Sequence, residues 1–310
     1  GLDILDAAGP VADGSLLQAA RTRFLVAEEL GWGDAGLAIS LGVAGFHRFF
    51  AHLTGRPALV ERFCDPQHRD VGCWAITEPD HGSDQLVVAD PGDAVTRMRG
   101  NCIAHRDGDD WIIDGQKSAW VSNGTIAEAA ALFCAVDLGG GQMGGGVFVV
   151  PLNEGGVIKG KPTEKIGQRA LNQGEIFFND LKIPADSMVV GPDRYQVMAD
   201  HTLCMANGGM GTTFVGCARA AFEHATDYAK ARIQGGVAIF NHQSVKSRLF
   251  KMYRQVEAAR ALNQQVLRIN AAREVPMLEL AIASKVTSTQ AAFDVASEAM
   301  QVFGGAGISR

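Results

Sequence analysis

The order in which apolar periodicities follow one another constrains the fold of this chain more than any other feature. Over residues 16–63 apolar side chains recur at helical spacing, as in Ala20, Phe24, Leu25 and Leu30, with Gly31, Gly33, Gly55 and Pro57 as interruptions. Near Val71 the texture changes to short runs, 73–77, 111–113, 131–136, 147–152 and 175–178, bounded by Gly, Asp, Asn and Pro. After Pro184 and Gly191-Pro192 the helical spacing returns. Phe214, Cys217, Ala221, Ala225 and Tyr228 form one stripe, and Val245, Leu249, Met252, Val256, Ala259, Leu262 and Val266 form a longer one. An Ala-rich helix is predicted over about 278–302. Helices, then strands, then helices predict an α+β protein and disfavour the alternating order of a Rossmann fold. The division expected is an N-terminal helical domain over 1–70, a middle β-domain over 71–190 and a C-terminal helical-bundle domain over 191–310, the outer two incomplete.

Within the β region, Arg106-Asp107-Gly108-Asp109-Asp110 between two apolar runs predicts a hairpin loop, because Asp-Gly supplies a positive φ at little cost. The glycine-rich stretch 139–146 reads as a mobile hairpin tip. With 310 residues, 47% hydrophobic and 20% charged, the chain can bury a substantial interior and carries too few charges for disorder. Its 28 Lys and Arg against 34 Asp and Glu leave a net charge of −6, which offers no broad basic surface to nucleic-acid phosphates. Charge-free runs such as 37–46 and 129–136 fall well short of the roughly 18 apolar residues that a membrane span requires. The six cysteines are scattered singly, without CxxC or zinc spacing, which predicts reduced, mostly buried thiols in a reducing compartment and no metal. The chain starts at Gly1 with no leader-like segment, and it reads as trimmed, processed or incomplete.

Three motifs carry no chemistry. Gly155 to Lys161 has phosphate-loop spacing, but Pro162 stands where a magnesium-binding Ser or Thr belongs, so a glycine-rich β-connection is expected. Asn123-Gly124-Thr125 matches a glycosylation acceptor by chance. Cys64 and His68 supply two ligands at most, which makes them a surface pair.

The informative stretch runs from Trp74 to Asp84. A strand delivers Thr77 into a turn held open by Pro79 and Gly82, and such a turn exposes backbone N–H groups and hydroxyls. These groups suit a flavin edge or a pyrophosphate, with Trp74 as a flat apolar face beside them. Taken alone, a Ser/Thr-rich turn that satisfies its own polar groups explains the pattern equally well.

Thr77-Glu78-Pro79 and Gly82-Ser83-Asp84 resemble the Thr-Glu-Pro, two residues, Gly-Ser-Asp signature of the acyl-CoA dehydrogenases. Gly115-Gln116-Lys117 followed by Trp120-Val121-Ser122-Asn123-Gly124 resembles a second element of that family, with one more residue between Lys117 and Trp120 than in many members. Residues 177–184, ending in Ile183-Pro184, resemble the strand and Pro that close the family's β-domain. Arg232-Ile233-Gln234 with His242-Gln243, and Gln301-Val302-Phe303-Gly304-Gly305-Ala306-Gly307, are similar to a fourth and a fifth element. All lie in family order across about three quarters of the chain.

The resemblance implies an N-terminal helical domain, a middle β-barrel-like domain and a C-terminal four-helix domain, with FAD held between the last two. Carried over, Trp74, Ile76, Thr77 and Ser83 would contact the flavin and its ribityl-pyrophosphate, with Trp120 and Ser122 on the ring's other side. Arg232, Gln234, His242, Gln243, Gln301, Gly304 and Gly305 would reach from a neighbouring subunit to the adenosine diphosphate half. For Arg232 a solvated helix charge is the plain alternative, and for Gly304-Gly305 a helix cap. Ser83 and Asn207 would face the substrate, an acyl-CoA thioester. The family relation further implies a homo-oligomer built as a dimer of dimers, or homotetramer. It also implies an electron acceptor such as electron-transfer flavoprotein, and a cytoplasmic location, or mitochondrial matrix if eukaryotic.

Family dehydrogenation takes a proton from the carbon next to the thioester carbonyl and a hydride from the next carbon, which requires a carboxylate base. In most members that Glu lies beyond the Gly-Gly matched by Gly304-Gly305, so it is expected past Arg310. The alternative family position falls at Ala206, beside Asn207, and neither residue is a base. Glu78 is expected to be structural. No catalytic residue is assigned from the sequence. Two further readings remain open at this point: a family-fold flavoprotein without the base, of monooxygenase or desulfinase type, and a non-catalytic assembly subunit.

Overall fold

The computed structural model describes residues 16–65, 67, 70–82 and 100–309. These fall into two compact units, a sheet unit within 39–202 and a helical unit within 16–38 and 203–309. Four helices, α1 (Leu16–Gly33), α2 (Ala35–Val43), α3 (Phe46–Thr54) and α4 (Pro57–Phe63), occupy the region where helical spacing predicts them. The breakers act as their chemistry dictates: Gly55 caps α3 at φ 60°, and Pro57 opens α4 at its first turn.

The sheet unit is built on eight strands, β1 (Gly72–Ala75), β2 (Ile103–Asp107), β3 (Asp110–Ser122), β4 (Ala129–Gly139), β5 (Gln142–Pro151), β6 (Val157–Lys159), β7 (Gln173–Pro184) and β8 (Met188–Val190). They run in the order β6-β7-β3-β2-β4-β5-β8, with β1 pairing β4. The predicted hairpin joins β2 to β3 across Gly108, φ 61°. The stretch 155–161 contributes β6, as expected of a β-connection. The glycine-rich stretch 139–146 is only partly a tip. Gly139, Gly140 and Gly141 make the turn, while Gly144, Gly145 and Gly146 pair in the ladder with Val136, Ala135 and Cys134.

The charge-free run 129–136 is explained by β4. Ala130, Leu132, Cys134 and Val136 enter one core with Ile113, Phe148, Ile176 and Phe178, whereas Ala129, Ala131, Phe133 and Ala135 enter a second with Phe50, Phe63, Val147 and Tyr195. A strand covered on both faces needs apolar residues at every position rather than at alternate ones. The first core draws only on strands and their connections, the arrangement of a sheet curled about its own interior. The family resemblance implies such a barrel-like middle portion, and the sheet here is mixed, with β6 and β8 at the two ends of its strand order.

Three long helices follow, α5 (Tyr195–Ala231), α6 (Gln243–Ala271) and α7 (Leu278–Phe303). In the helical unit the predicted α6 stripe is buried at Leu249, Met252, Val256, Ala259 and Val266. On α5 the predicted stripe faces the core, with Ala225 buried and Phe214, Ala221 and Tyr228 packed against it, and the most buried positions beside it are the small Ala218 and Ala229, where neighbouring helices can approach closely. On α1 the expected apolar Leu25 is 53% exposed, and Glu28 is buried instead. Glu28 Oε1 lies 2.9 Å from both Arg219 and Arg260, and this pairing is what permits a carboxylate there.

Candidate functional site

Strand β1 ends at Ala75, and the chain continues through a buried Ile76 and a half-buried Thr77 into a turn closed by reciprocal backbone hydrogen bonds between Glu78 and His81. The Glu78 side chain points inward. Its carboxylate accepts from Lys117 Nζ at 2.7 Å and from the Asn101 backbone N–H, and both members of the ion pair are fully buried. Lys117 also donates to the Ile76 carbonyl at 2.9 Å, and the Ser118 N–H donates to the Thr77 carbonyl at 2.9 Å. Two charges removed from water persist only when each finds such partners, so the pair pins β3 to the turn. Glu78 is therefore structural, as expected. Ser83 and Asp84 of the signature lie outside the described residues.

The Trp74 ring stacks on Phe46, centroids 5.2 Å apart at 20°, and meets Phe133 edge-on at 6.1 Å. One face of the expected apolar platform is therefore already covered. The Trp74 indole N–H is buried without a partner among the described residues.

Beside this turn β3 bulges. Lys117 pairs with Ile176 and Val121 with Gly174, so four steps along β3 oppose two along β7. The stretch between Lys117 and Trp120 lies within this bulge. It leaves Trp120 61% exposed, with Ser122 half-buried two residues on. Gln173 on β7 donates to the Trp120 carbonyl at 3.1 Å and to Ser122 Oγ at 3.3 Å, and Lys165 donates to Gln173 Oε1 at 2.8 Å. At the start of the motif, Gly115 has φ 125°, and a Cβ there would sit 2.5 Å from the Asn101 carbonyl oxygen, so only glycine fits. At its end Asn123, φ 64°, is buried and donates to the Ser40 and Gly72 carbonyls. This is an anchoring role, and a buried Asn is no glycosylation acceptor.

Four of the six cysteines, Cys73, Cys102, Cys134 and Cys204, are buried, and none of the six forms a disulfide. Burial pushes the Cys73 thiol up to about 12 and raises Cys134, while a hydrogen bond from its neighbour lowers Cys102. Among the described residues no group of three or more His, Cys, Asp or Glu is placed to hold a metal, and His68 lies outside them.

In the helical unit α5 ends at Ala231, and the exposed Arg232 opens a small hairpin of β9 (Ile233–Gln234) and β10 (Val237–Ala238) that leads into α6. Its backbone accepts from the Ile239 N–H at 2.8 Å, and His242 bonds the Gln234 carbonyl at 3.0 Å, so Arg232, Gln234, His242 and Gln243 form one cluster. The end of α7 meets the end of α5 through the rings of Phe303 and Tyr228, 4.6 Å apart. Just beyond, Gly304 (φ 59°) and Gly305 are exposed, and a Cβ on either would meet nothing within 4 Å. Gly304 thus caps α7, and its backbone is open to approach. Asn207 donates one amide N–H to the Leu203 carbonyl at 2.8 Å, leaving its second N–H and its Oδ1 for other partners.

The structure therefore places Trp74, Ile76, Thr77, Trp120 and Ser122 on β1, the turn after it and β3 in the sheet unit, and Arg232, Gln234, His242, Gln243, Gln301, Gly304 and Gly305 near the ends of α5 and α7 in the helical unit, while Asn207 stands apart within α5 and Ser83 lies outside the described residues. Sequence reasoning gave no role to Lys117, Lys165 or Gln173. Lys117 had a signal, because it shares the inward parity of Trp111 and Ile113 on β3. Gln173 lies 51 residues from Ser122, and no local pattern joins them.

Comparison with known proteins bears on the family and the fold. Residues 73–181 match the family model for the acyl-CoA dehydrogenase middle domain, and residues 198–310 match that for the acyl-CoA dehydrogenase C-terminal domain. The short-chain specific acyl-CoA dehydrogenase of Megasphaera elsdenii is 30% identical over 297 residues, 92% of this chain and 72% of that protein. The mitochondrial short-chain specific acyl-CoA dehydrogenase of Sus scrofa is 30% identical over 237 residues, 76% of this chain. The solved butyryl-CoA dehydrogenase of Megasphaera elsdenii superposes with a TM-score of 0.83 at 28% identity, covering 96% of this chain and 74% of that one. The chain belongs to the acyl-CoA dehydrogenase family. FAD is the cofactor of that family. The chain spans about half the length of the mammalian relatives it matches, 54% of the Sus scrofa protein. No helix among the described residues is long and apolar enough to cross a membrane.

Proposed function

We propose that this chain takes part in the FAD-dependent oxidation of an acyl-CoA thioester to the 2,3-enoyl-CoA. The observation that carries the reading is the juxtaposition, fixed by the Lys117–Glu78 pair and the Ser118–Thr77 hydrogen bond, of the turn after β1 with the exposed Trp120 and the hydroxyl of Ser122. The residues present fit a flavin: one exposed aromatic face, one adjoining hydroxyl and a polar turn, on a strand whose other side is locked into a core.

In this reading Trp120 covers one face of the ring and excludes water, Ser122 offers a hydroxyl at its edge, and Ile76 and Thr77 border it from the turn, with Trp74 backing them and Ser83 continuing the contact. Bound FAD supplies the acceptor for the hydride that leaves the acyl chain. In the helical unit Arg232 neutralises a pyrophosphate, Gln234, His242, Gln243 and Gln301 orient the adenosine diphosphate, and the Gly304-Gly305 backbone lets it approach closely. These residues are proposed to serve the FAD of a second copy, within a dimer of dimers. Asn207 and Ser83 face the acyl thioester, and the base is a carboxylate that neither Ala206 nor Asn207 supplies. Electron-transfer flavoprotein is the proposed electron acceptor.

The test is an anaerobic visible spectrum of the full-length gene product before and after a panel of acyl-CoA thioesters. Flavin absorption that bleaches with a member of the panel is the expected result. Flavin that bleaches with none refutes the dehydrogenation, and a colourless protein that takes up no FAD refutes the flavin assignment.

A further inference from the structure

We propose that Gln173 is a positioning residue that turns the Ser122 hydroxyl outward, so that the Trp120–Ser122 face of β3 presents a hydrogen-bond donor to the flavin; this deepens the reading above and rests on it. A side-chain amide can be placed either way round, and here two neighbours decide it. The Lys165 ammonium can only donate, and it lies 2.8 Å from Gln173 Oε1, held there by a second bond to the Leu171 carbonyl at 2.6 Å. The Trp120 carbonyl can only accept, and it takes Gln173 Nε2–H at 3.1 Å. The second N–H of the same nitrogen then faces Ser122 Oγ at 3.3 Å, where the hydroxyl must be the acceptor.

A hydroxyl has one hydrogen. With Gln173 donating into its lone pair, that hydrogen is free to point elsewhere, and no other described residue is recorded as accepting it. Ser122 and Gln173 are directly paired across antiparallel strands, so their side chains stand on one face of the sheet. Val121 between them is buried in the core, whereas Trp120 is the exposed aromatic of the bulge and Ser122 is half-buried, so both stand away from that core. The same glutamine thus fixes the bulge through the Trp120 carbonyl and sets the polarity of the hydroxyl. An aromatic platform with one outward donor suits a planar heteroaromatic ring that carries an acceptor at its edge.

The experiment compares FAD-loaded full-length wild type with Ser122→Ala, Gln173→Glu and the double variant, reading the visible flavin spectrum and the midpoint potential. Glutamate keeps the contact with Lys165, but a carboxylate only accepts, so the Ser122 hydroxyl turns back toward it. The expected result is that Gln173→Glu shifts both readouts in the same sense as Ser122→Ala, and that it adds no shift once residue 122 is Ala. A shift that persists undiminished in the Ser122→Ala background would mean that the new charge acts directly, and it overturns the proposal. So does an unchanged spectrum and potential in FAD-bound Gln173→Glu, which leaves the flavin assignment standing. Wild type that binds no FAD overturns both together. Lys165→Met is the second variant. It removes one of the two contacts that orient the amide while the Trp120 carbonyl keeps the other, so a smaller shift than that of Gln173→Glu is expected, and a shift as large as that of Gln173→Glu that persists undiminished in the Ser122→Ala background overturns the proposal.

Discussion

Lys117 Nζ lies 2.7 Å from Glu78 Oε1 with both side chains at zero exposure, and this buried ion pair joins the strand that carries Trp120 to the turn that carries Thr77. Removing one partner strands the other charge in the core. Lys117→Met should therefore cost about 3–5 kcal/mol of stability. Urea denaturation measures it, and Lys117→Met with Glu78→Leu should recover most of the loss. A single variant as stable as wild type would show that the pair is solvated.

Trp120 is 61% exposed, so its side chain contributes little to folding. Trp120→Ala should move stability by no more than about 0.5 kcal/mol. Flavin retention should nonetheless fall sharply, read as the ratio of visible to ultraviolet absorbance after gel filtration. Full retention would remove Trp120 from the cofactor site.

Arg232 and Gly304 separate ligand effects from backbone effects. Arg232→Ala should lower FAD content while leaving the melting temperature of the FAD-free protein unchanged, because the side chain is exposed. Gly304→Val forces a β-branched residue to φ 59°, which should cost about 1–2 kcal/mol even though its Cβ meets no protein atom. FAD loss beyond that of an equally destabilised control marks close approach of the nucleotide. Normal FAD content in both variants would defeat the assignment of this cluster.

His47 is fully buried, and neither ring nitrogen has a partner among the described residues. Burial, followed by the charge of Arg48, lowers its pKa from 6.5 to about 3. Between those values the unfolded chain binds a proton that the folded chain refuses, so stability falls as pH drops from 6.5 toward 3, by up to about 1.4 kcal/mol per unit. Denaturation midpoints from pH 7 to pH 4 should fall steeply in wild type and less so in His47→Leu. Equal slopes would mean that other groups carry the acid sensitivity.

Much of the fold was legible because its periodicities are strong. The α6 stripe, the β2–β3 hairpin at Asp107-Gly108 and the helix breaks at Gly55 and Pro57 all follow from local rules. Leu25 and Glu28 exchange their expected environments because Arg219 and Arg260, about 190 and 232 residues away, supply the countercharge, and no local window contains them. The motif residues of the candidate site were legible, and the devices that hold them were only half so. Lys117 is betrayed by its inward parity, whereas the pairing of Gln173 with Ser122 depends on the strand order of the sheet and on the size of a bulge.

The double-sided burial of β4 bears on which substitutions the family member can tolerate. β5 runs along one edge of this strand, while β1 and then β2 occupy successive parts of the other. Its backbone amides are therefore released to solvent deuterium only when the whole sheet unit opens. A polar replacement anywhere in 129–136 would consequently be seen in a cell as a scarcity of protein, cleared by proteases, rather than as a slower catalyst present in normal amounts.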